Sequence, residues 1–330
     1  KMKKRWWYLP ALTVFLVATI LIIRRNSEQN AYSTHTGSVF GTVYKITFQG
    51  NPALADSCLK VMDDVDRSLS MFNKASQLTA LNNEGLIVMN DITRQVLTLA
   101  IEVSGETNGA FDITVGPLVN AWGFGYKNGT LPDSMRIDSL MQHIGYERLL
   151  IDGDTARLTD SEATLDCSAI AKGFACDTVA NYLLAHGAKN VMVEIGGEVV
   201  THGVNAKGKP WSVGISKPSE DLDDQGVMEI ITLNNGAMAT SGNYRNFRVE
   251  DGRKIAHTID PHTGYPVQHS LLSATVFAPT CAMADAYATS FMVMGLEESK
   301  RILSLHPELS AYLIYDDGGK MNTVKIENKK

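Results

Sequence analysis

Residues 165–204 read LDCSAIAKGFACDTVANYLLAHGAKNVMVEIGGEVVTHGV, and the hydrophobic period changes within them. Up to about His186 the stretch reads as a helix with Ser168 at its amino cap. From Asn190 it reads as two short β-branched runs, 190–195 and 198–204, split by Gly196 and Gly197 as in strands joined by a tight connection. A helix feeding a sheet of closely linked strands points to an α+β domain.

Outward from there the same two periods continue. Strands are expected at 211–215, 227–232, 246–249, 253–259, 271–277, 310–315 and 321–326, and helices at 281–294 and 297–305. Toward the amino side, helices are expected over 53–71, 91–107 and 133–143. The run GSVFGTVYKITF, residues 37–48, alternates like one strand interrupted at Gly41, where a bulge or a close ligand would need no side chain. No internal repeat and no break in composition divides 37–330, so the expected architecture is one domain of two interleaved lobes.

Trp6 to Ile23 is a run of 18 residues without charge, set between Lys3, Lys4 and Arg5 on one side and Arg24 and Arg25 on the other. As a helix rising about 1.5 Å per residue it would span about 27 Å, close to the hydrocarbon thickness of a bilayer. No small-x-small cleavage pattern follows Ile23, which favours an uncleaved signal anchor over a secretory signal. A buried terminal helix is the rival reading, disfavoured by the basic flanks. Four basic residues before the run and two after it place the short amino end in the cytoplasm. The expected organisation is therefore a transmembrane helix over 1–25, a polar linker over 26–36, and a globular domain over 37–330. That domain would sit on the periplasmic side of an inner membrane.

The 330 residues carry a net charge of -6, with 44% hydrophobic and 20% charged residues, which excludes a disordered, fibrous or strongly basic chain. Nucleic acid is not an expected partner. Residues 1–30 hold six basic residues and Glu28, so +5 of the total falls there and the remainder carries -11. The four cysteines, Cys58, Cys167, Cys176 and Cys281, show no CxxC spacing. A Cys167–Cys176 bridge and two reduced thiols are both open.

Four segments carry candidate chemistry. In TCAMADAYATSFMVM, Asp285 is the one carboxylate in an apolar run, and a buried carboxylate needs a cation or several hydrogen bonds. Asp285 and Thr289 are a helical turn apart, an arrangement of hard oxygens that suits magnesium. An aspartate in the first turn facing the helix dipole explains it equally. In LDCSAIAKGFACD, Lys172 near a helix start offers a phosphate site, or is an ordinary solvated lysine. In AHTIDPHTGYPV, His257 at a strand end could accept a proton, and with His262 it is also readable as structural. In TNGAFDITVGPLVNAWGFG, Asp112 is another charge in apolar company. P-loop, GxGxxG, HExxH and GxSxG patterns are absent, which removes the commonest nucleotide, zinc-protease and lipase readings.

Taken together and in order, GSVFGTVYKI, GAFDITVGPLVNAWGFG, DCSAIAKGFACD, VEIGGEV, ATSGNYRNF, HTIDPHTGYP and APTCAMADAYATSFMVMG make the chain resemble the ApbE-type FAD:protein FMN transferases over about residues 36–326. The resemblance implies a T-fold-like α+β domain. It also implies an exported enzyme that uses Mg2+ and FAD to attach FMN through a phosphoester to a threonine or serine of a partner, releasing AMP. Flavin contacts would fall on Phe40, Phe72, Ala110, Phe111, Asp112, Asp166, Lys172 and Ile259. Magnesium would be held by Asp285 and Thr289 with the backbone oxygens of Ala169 and Ala288. The position of Phe40 is often Met in the family, that of Phe72 often Tyr, and that of Ala288 sometimes Asp.

On this reading His257 takes the proton of the acceptor hydroxyl and Lys172 helps to neutralise phosphate. The implied acceptor is a flavoprotein subunit of a membrane redox complex with a short threonine motif. Two rivals share the site: an FAD pyrophosphatase giving FMN and AMP, and a membrane-tethered FAD carrier without catalysis.

Overall fold

In the computed structural model, which describes residues 12–19, 31–125, 131–218, 226–243, 247–250 and 253–327, the run at 37–48 is part of two strands rather than one. β1 (Tyr32–Val39) and β2 (Thr42–Gln49) pair antiparallel with Val39 opposite Thr42. Phe40 and Gly41, at φ of 52° and 72°, close the hairpin. Two successive positive φ values give a turn whose twist matches the strands it joins, so Gly41 marks a hairpin and not a bulge. β1 also begins at Tyr32, within the stretch expected as linker and before the expected boundary at Gly37.

Of the expected Trp6–Ile23 span, residues 12–19 are helical and the rest lies outside the described residues. Among the described residues no helix is long and apolar enough to cross a membrane.

After β2 the chain forms α1 (Leu54–Leu69), α2 (Gln77–Glu84), β3 (Leu86–Val88), α3 (Asp91–Glu106), α4 (Gly116–Ala121), α5 (Ser134–Met141), β4 (Leu149–Asp152) and β5 (Thr155–Leu158). Next come α6 (Ala171–Ala185), β6 (Asn190–Ile195), β7 (Glu198–His202), β8 (Trp211–Ser216), β9 (Val227–Leu233), β10 (Gly236–Gly242), β11 (Phe247–Glu250) and β12 (Arg253–Ala256). β13 (Leu271–Ala278), α7 (Cys281–Leu305), β14 (Ser310–Asp317) and β15 (Lys320–Ile326) complete it. The two helices expected at 281–294 and 297–305 are both present within Cys281–Leu305, separated at Gly295, whose backbone is non-helical at φ of 75° and ψ of -174°.

The main sheet runs β1-β2-β6-β7-β10-β13-β14-β15, antiparallel throughout. Side chains of a strand alternate between faces, and here the alternation divides two cores. Val200, Ala237, Ala239, Ala311 and Leu313 join the large cluster that holds α1, α6 and α7. Their neighbours Val199, Met238, Tyr312 and Ile314 join Val213, Ile215, Ile231 and Leu233 of the β8–β9 hairpin. Covering both faces explains why these strands read as nearly continuous apolar runs. A third cluster, Leu118, Trp122, Ile137, Leu140 and Ile259, forms a small lobe around α4 and α5. Trp122 Nε1 donates to the Gly264 carbonyl at 2.8 Å and ties the turn at 260–264 onto that lobe.

Candidate active site

α6 and α7 cross at Gly173. A Cβ there would lie 2.3 Å from the Cys281 carbonyl oxygen, so no larger residue permits this approach. The contact lets each helix cap the other. Asp177 on α6 accepts from the backbone N–H groups of Cys281 and Ala282, both at 2.9 Å. Asp285 on α7 accepts from the Gly173 N–H at 3.0 Å. The first turn of α7 is thus served by Asp177 and by Thr280, whose hydroxyl accepts from Met283 N–H. The dipole explanation of Asp285 therefore falls to Asp177, and Asp285 points from the second turn of α7 at the start of its neighbour.

Ser168 is not the cap expected of α6, which starts at Ala171 with no side-chain cap bond. Asp166 instead accepts from the Ser168 N–H at 2.8 Å and turns the chain into the helix. This places Lys172 in the first turn, where its Nζ lies 3.1 Å from Glu198 Oε1 and 3.6 Å from Asp285 Oδ2. Glu198 and Asp285 are 3% and 2% exposed. Burial alone would push the Lys172 ammonium down, but Asp285 and Glu198 outweigh it and hold it above the ordinary lysine range. Burial pushes the Glu198 carboxyl up, with Lys172 opposing and Asp285 adding to the shift.

This cluster lies in a cavity of about 750 Å³, a size that accepts a cofactor-sized molecule. The cavity is lined by Phe72, Ala110, Phe111, Asp112, Asp166, Ala169, Lys172, His257, Ile259, Asp285 and Thr289, residues from separate segments that the sequence pattern or the family resemblance had singled out. Phe111 is buried, whereas Phe72 is 66% exposed and presents a bare ring at the rim. Asp112 Oδ1 accepts from the N–H and hydroxyl of Thr114, both at 2.7 Å, and burial raises its carboxyl above the ordinary range despite these bonds. His257 is half-buried, with its ring edge-on to Phe124 at 6.3 Å. Thr289 shares a 3.3 Å hydroxyl contact with Ser241 of β10.

Two expected residues lie elsewhere. Phe40 sits in the β1–β2 turn against the main core and does not line the cavity. Ala288 is fully buried within α7 and also faces the core, and as a mid-helix residue its carbonyl belongs to the helical ladder. His262 is structural: Nε2 bonds the Asn108 carbonyl at 2.8 Å and Nδ1 meets Asp260 at 3.1 Å. All four cysteines are free and buried. Cys176 has Cys281, not Cys167, as its thiol neighbour.

Glu198 and Asp177 were not among the expected site residues. The signal for Glu198 was available, since it is a lone charge before the apolar Val199–Val200, the same cue that marks Asp112 and Asp285. Asp177 gave none, because an aspartate in a helix reads as a solvated face.

No group of three or more His, Cys, Asp or Glu side chains that could hold a metal occurs among the described residues. A hard divalent cation asks less, since one or two carboxylates with water and phosphate suffice. Two carboxylates facing one ammonium leave a negative charge that such a cation would offset, and Glu198 Oε2 is buried with no hydrogen-bond partner among the described residues. Asp285, Thr289 and the Ala169 peptide oxygen fit that requirement in kind.

A family model described as the ApbE family matches residues 40–313. A FAD:protein FMN transferase of Vibrio cholerae is 37% identical over 311 residues, covering 91% of this chain and 92% of that one. One from Haemophilus influenzae is 34% identical over 319 residues, covering 91% of each. The solved structure of the flavin transferase ApbE from Vibrio cholerae superposes with a TM-score of 0.83 at 34% identity, over 90% of this chain and 98% of that one. The chain belongs to the ApbE family.

Proposed function

We propose that the protein is an FAD:protein FMN transferase, moving FMN from FAD to a threonine or serine hydroxyl of a partner protein and releasing AMP. One observation carries the reading most: Lys172 set between two buried carboxylates, in a cavity that also holds a half-buried histidine and an exposed aromatic ring. Phe72 and Phe111 offer flat apolar surface to an isoalloxazine ring. Lys172, kept charged, donates to phosphate oxygens. His257, held edge-on by Phe124, receives the proton of the attacking hydroxyl. The hydroxyl oxygen bonds to the FMN-side phosphorus, the bridging P–O bond breaks, and AMP leaves with the electron pair as a phosphate monoester. Mg2+ held by Asp285, Thr289 and the Ala169 carbonyl would supply charge neutralisation on the pyrophosphate.

The hydrophobic run from Trp6 to Ile23, with its basic flanks, supports tethering to the inner membrane with the catalytic domain on the periplasmic side. An acceptor there would be a flavoprotein subunit of a membrane redox complex. Incubating the protein with FAD, Mg2+ and a candidate acceptor tests the reading through AMP release and acceptor mass. AMP together with an acceptor heavier by FMN is expected. AMP with free FMN would assign a pyrophosphatase, and FAD retained intact would assign a carrier.

A further inference from the structure

Glu198 opens β7 directly after the Gly196–Gly197 turn, while Asp285 comes from α7, so two unrelated elements deliver carboxylates to one ammonium. The contacts are unequal: Lys172 Nζ is 3.1 Å from Glu198 and 3.6 Å from Asp285. Glu198 is 3% exposed and its Oε2 has no hydrogen-bond partner among the described residues, an expensive state for a carboxylate unless its charge on Lys172 is the purpose. Asp285 receives both Lys172 and the Gly173 N–H on the same oxygen, Oδ2. A lysine settled fully on that carboxylate would compete with a divalent ion for it, because like charges repel strongly at such distances in a partly dry site.

We propose that Glu198 is a positioning residue that draws Lys172 away from Asp285, so that one carboxylate serves the lysine and the other stays available to the metal. The inference rests on the reading of Asp285 as a metal ligand. With Glu198 in place, the ammonium and the ion can act on the same pyrophosphate without sharing an oxygen. Without it, Lys172 collapses onto Asp285 and shuts the ion out.

The test uses Mn2+ as probe with the full chain in detergent and no FAD, reading free Mn2+ by electron paramagnetic resonance, so that turnover plays no part. Glu198→Gln should weaken Mn2+ binding about 10–100-fold, the range for residues that orient a metal ligand from behind. Lys172→Met should bind Mn2+ more tightly than the unsubstituted chain. The double variant should bind at least as tightly as the unsubstituted chain, because the competitor is gone. Equal losses from Glu198→Gln with and without Lys172 would show that Glu198 acts on the ion only through its own charge, and would overturn the proposal. Weaker binding by Lys172→Met would overturn it too, and that variant decides the matter if Glu198→Gln does not fold. If the unsubstituted chain fails to bind Mn2+, or Asp285→Ala binds it undiminished, the metal reading itself fails instead.

Discussion

His257 and Lys172 illustrate how differently two polar side chains are held. Lys172 is fixed by charge, between Glu198 and Asp285. His257 lies at the cavity wall with a ring contact to Phe124. Proton removal by a positioned base contributes about 10²–10⁴-fold. His257→Gln should therefore lower kcat for AMP release by about 100-fold or more while leaving FAD affinity nearly unchanged. Flavin fluorescence quenching alongside single-turnover AMP release checks this; a parallel loss of affinity would mean that His257 serves binding. The apolar company of Asp112 and Asp285 was legible as a cost needing compensation. Asp112 is served locally by Thr114, two residues on, whereas the partners of Asp285, Gly173 and Lys172, were not legible, because they depend on chain segments meeting in space.

At the scale of elements, the crossing of α6 and α7 governs the site. Gly173→Ala would force a methyl into the Cys281 backbone, and overpacking of this kind costs about 1–3 kcal/mol or more. Because the Gly173 N–H also orients Asp285, activity should fall along with the denaturation midpoint. A normal urea midpoint in Gly173→Ala would show that the helices simply separate. Asp177 adds a pH dependence. Burial pushes its carboxyl up to about 6, although the N–H groups of Cys281 and Ala282 favour the charged form. A folded-state value above the unfolded one means that its proton stabilises the native state, and this contribution is lost as pH rises through about 6. Between pH 5 and 7 the melting temperature should therefore fall more in the native sequence than in Asp177→Asn. Parallel curves would exclude the linkage.

Long helices were visible in the sequence because their apolar positions recur many times. α2 and the sheet formed by β3, β5 and β4 were missed, since strands of three or four residues are too short to show a period. The turn at Phe40 and Gly41, where a bulge or a close ligand was expected, was not legible as a hairpin because a phenylalanine seldom takes positive φ.

On the scale of the whole molecule, the cavity lies between the main sheet with its helices and the small lobe of α4 and α5. Ile259 belongs to both, packing in the lobe and lining the cavity. Trp122 anchors the lobe through Gly264 and a ring contact with Tyr265 at 5.9 Å. Trp122→Ala, a loss of about 3–5 kcal/mol where fully felt, should raise amide exchange across 116–125, 131–141 and 257–266. The main sheet should stay protected and the KM for FAD should rise. Uniform exchange across the chain would mean that the lobe is not a separate unit of stability. Residues 1–30 precede β1, so a variant lacking them should keep flavin transfer in solution and lose membrane association, checked by flotation with lipid vesicles. Loss of folding on deletion would contradict a tether.

Periodicity, turn residues and isolated charges in apolar runs are local properties, and they determined that this chain is an α+β protein, where its longer elements lie and that Asp112 and Asp285 need partners; the rest of the candidate set came from the resemblance to a family. That Asp177 rather than Asp285 caps α7, that Glu198 and Asp285 both face Lys172, and that Ala288 faces the core were decided only by the tertiary structure. Each depends on which segment packs beside which, and the close approach at Gly173 is a contact between residues more than a hundred positions apart.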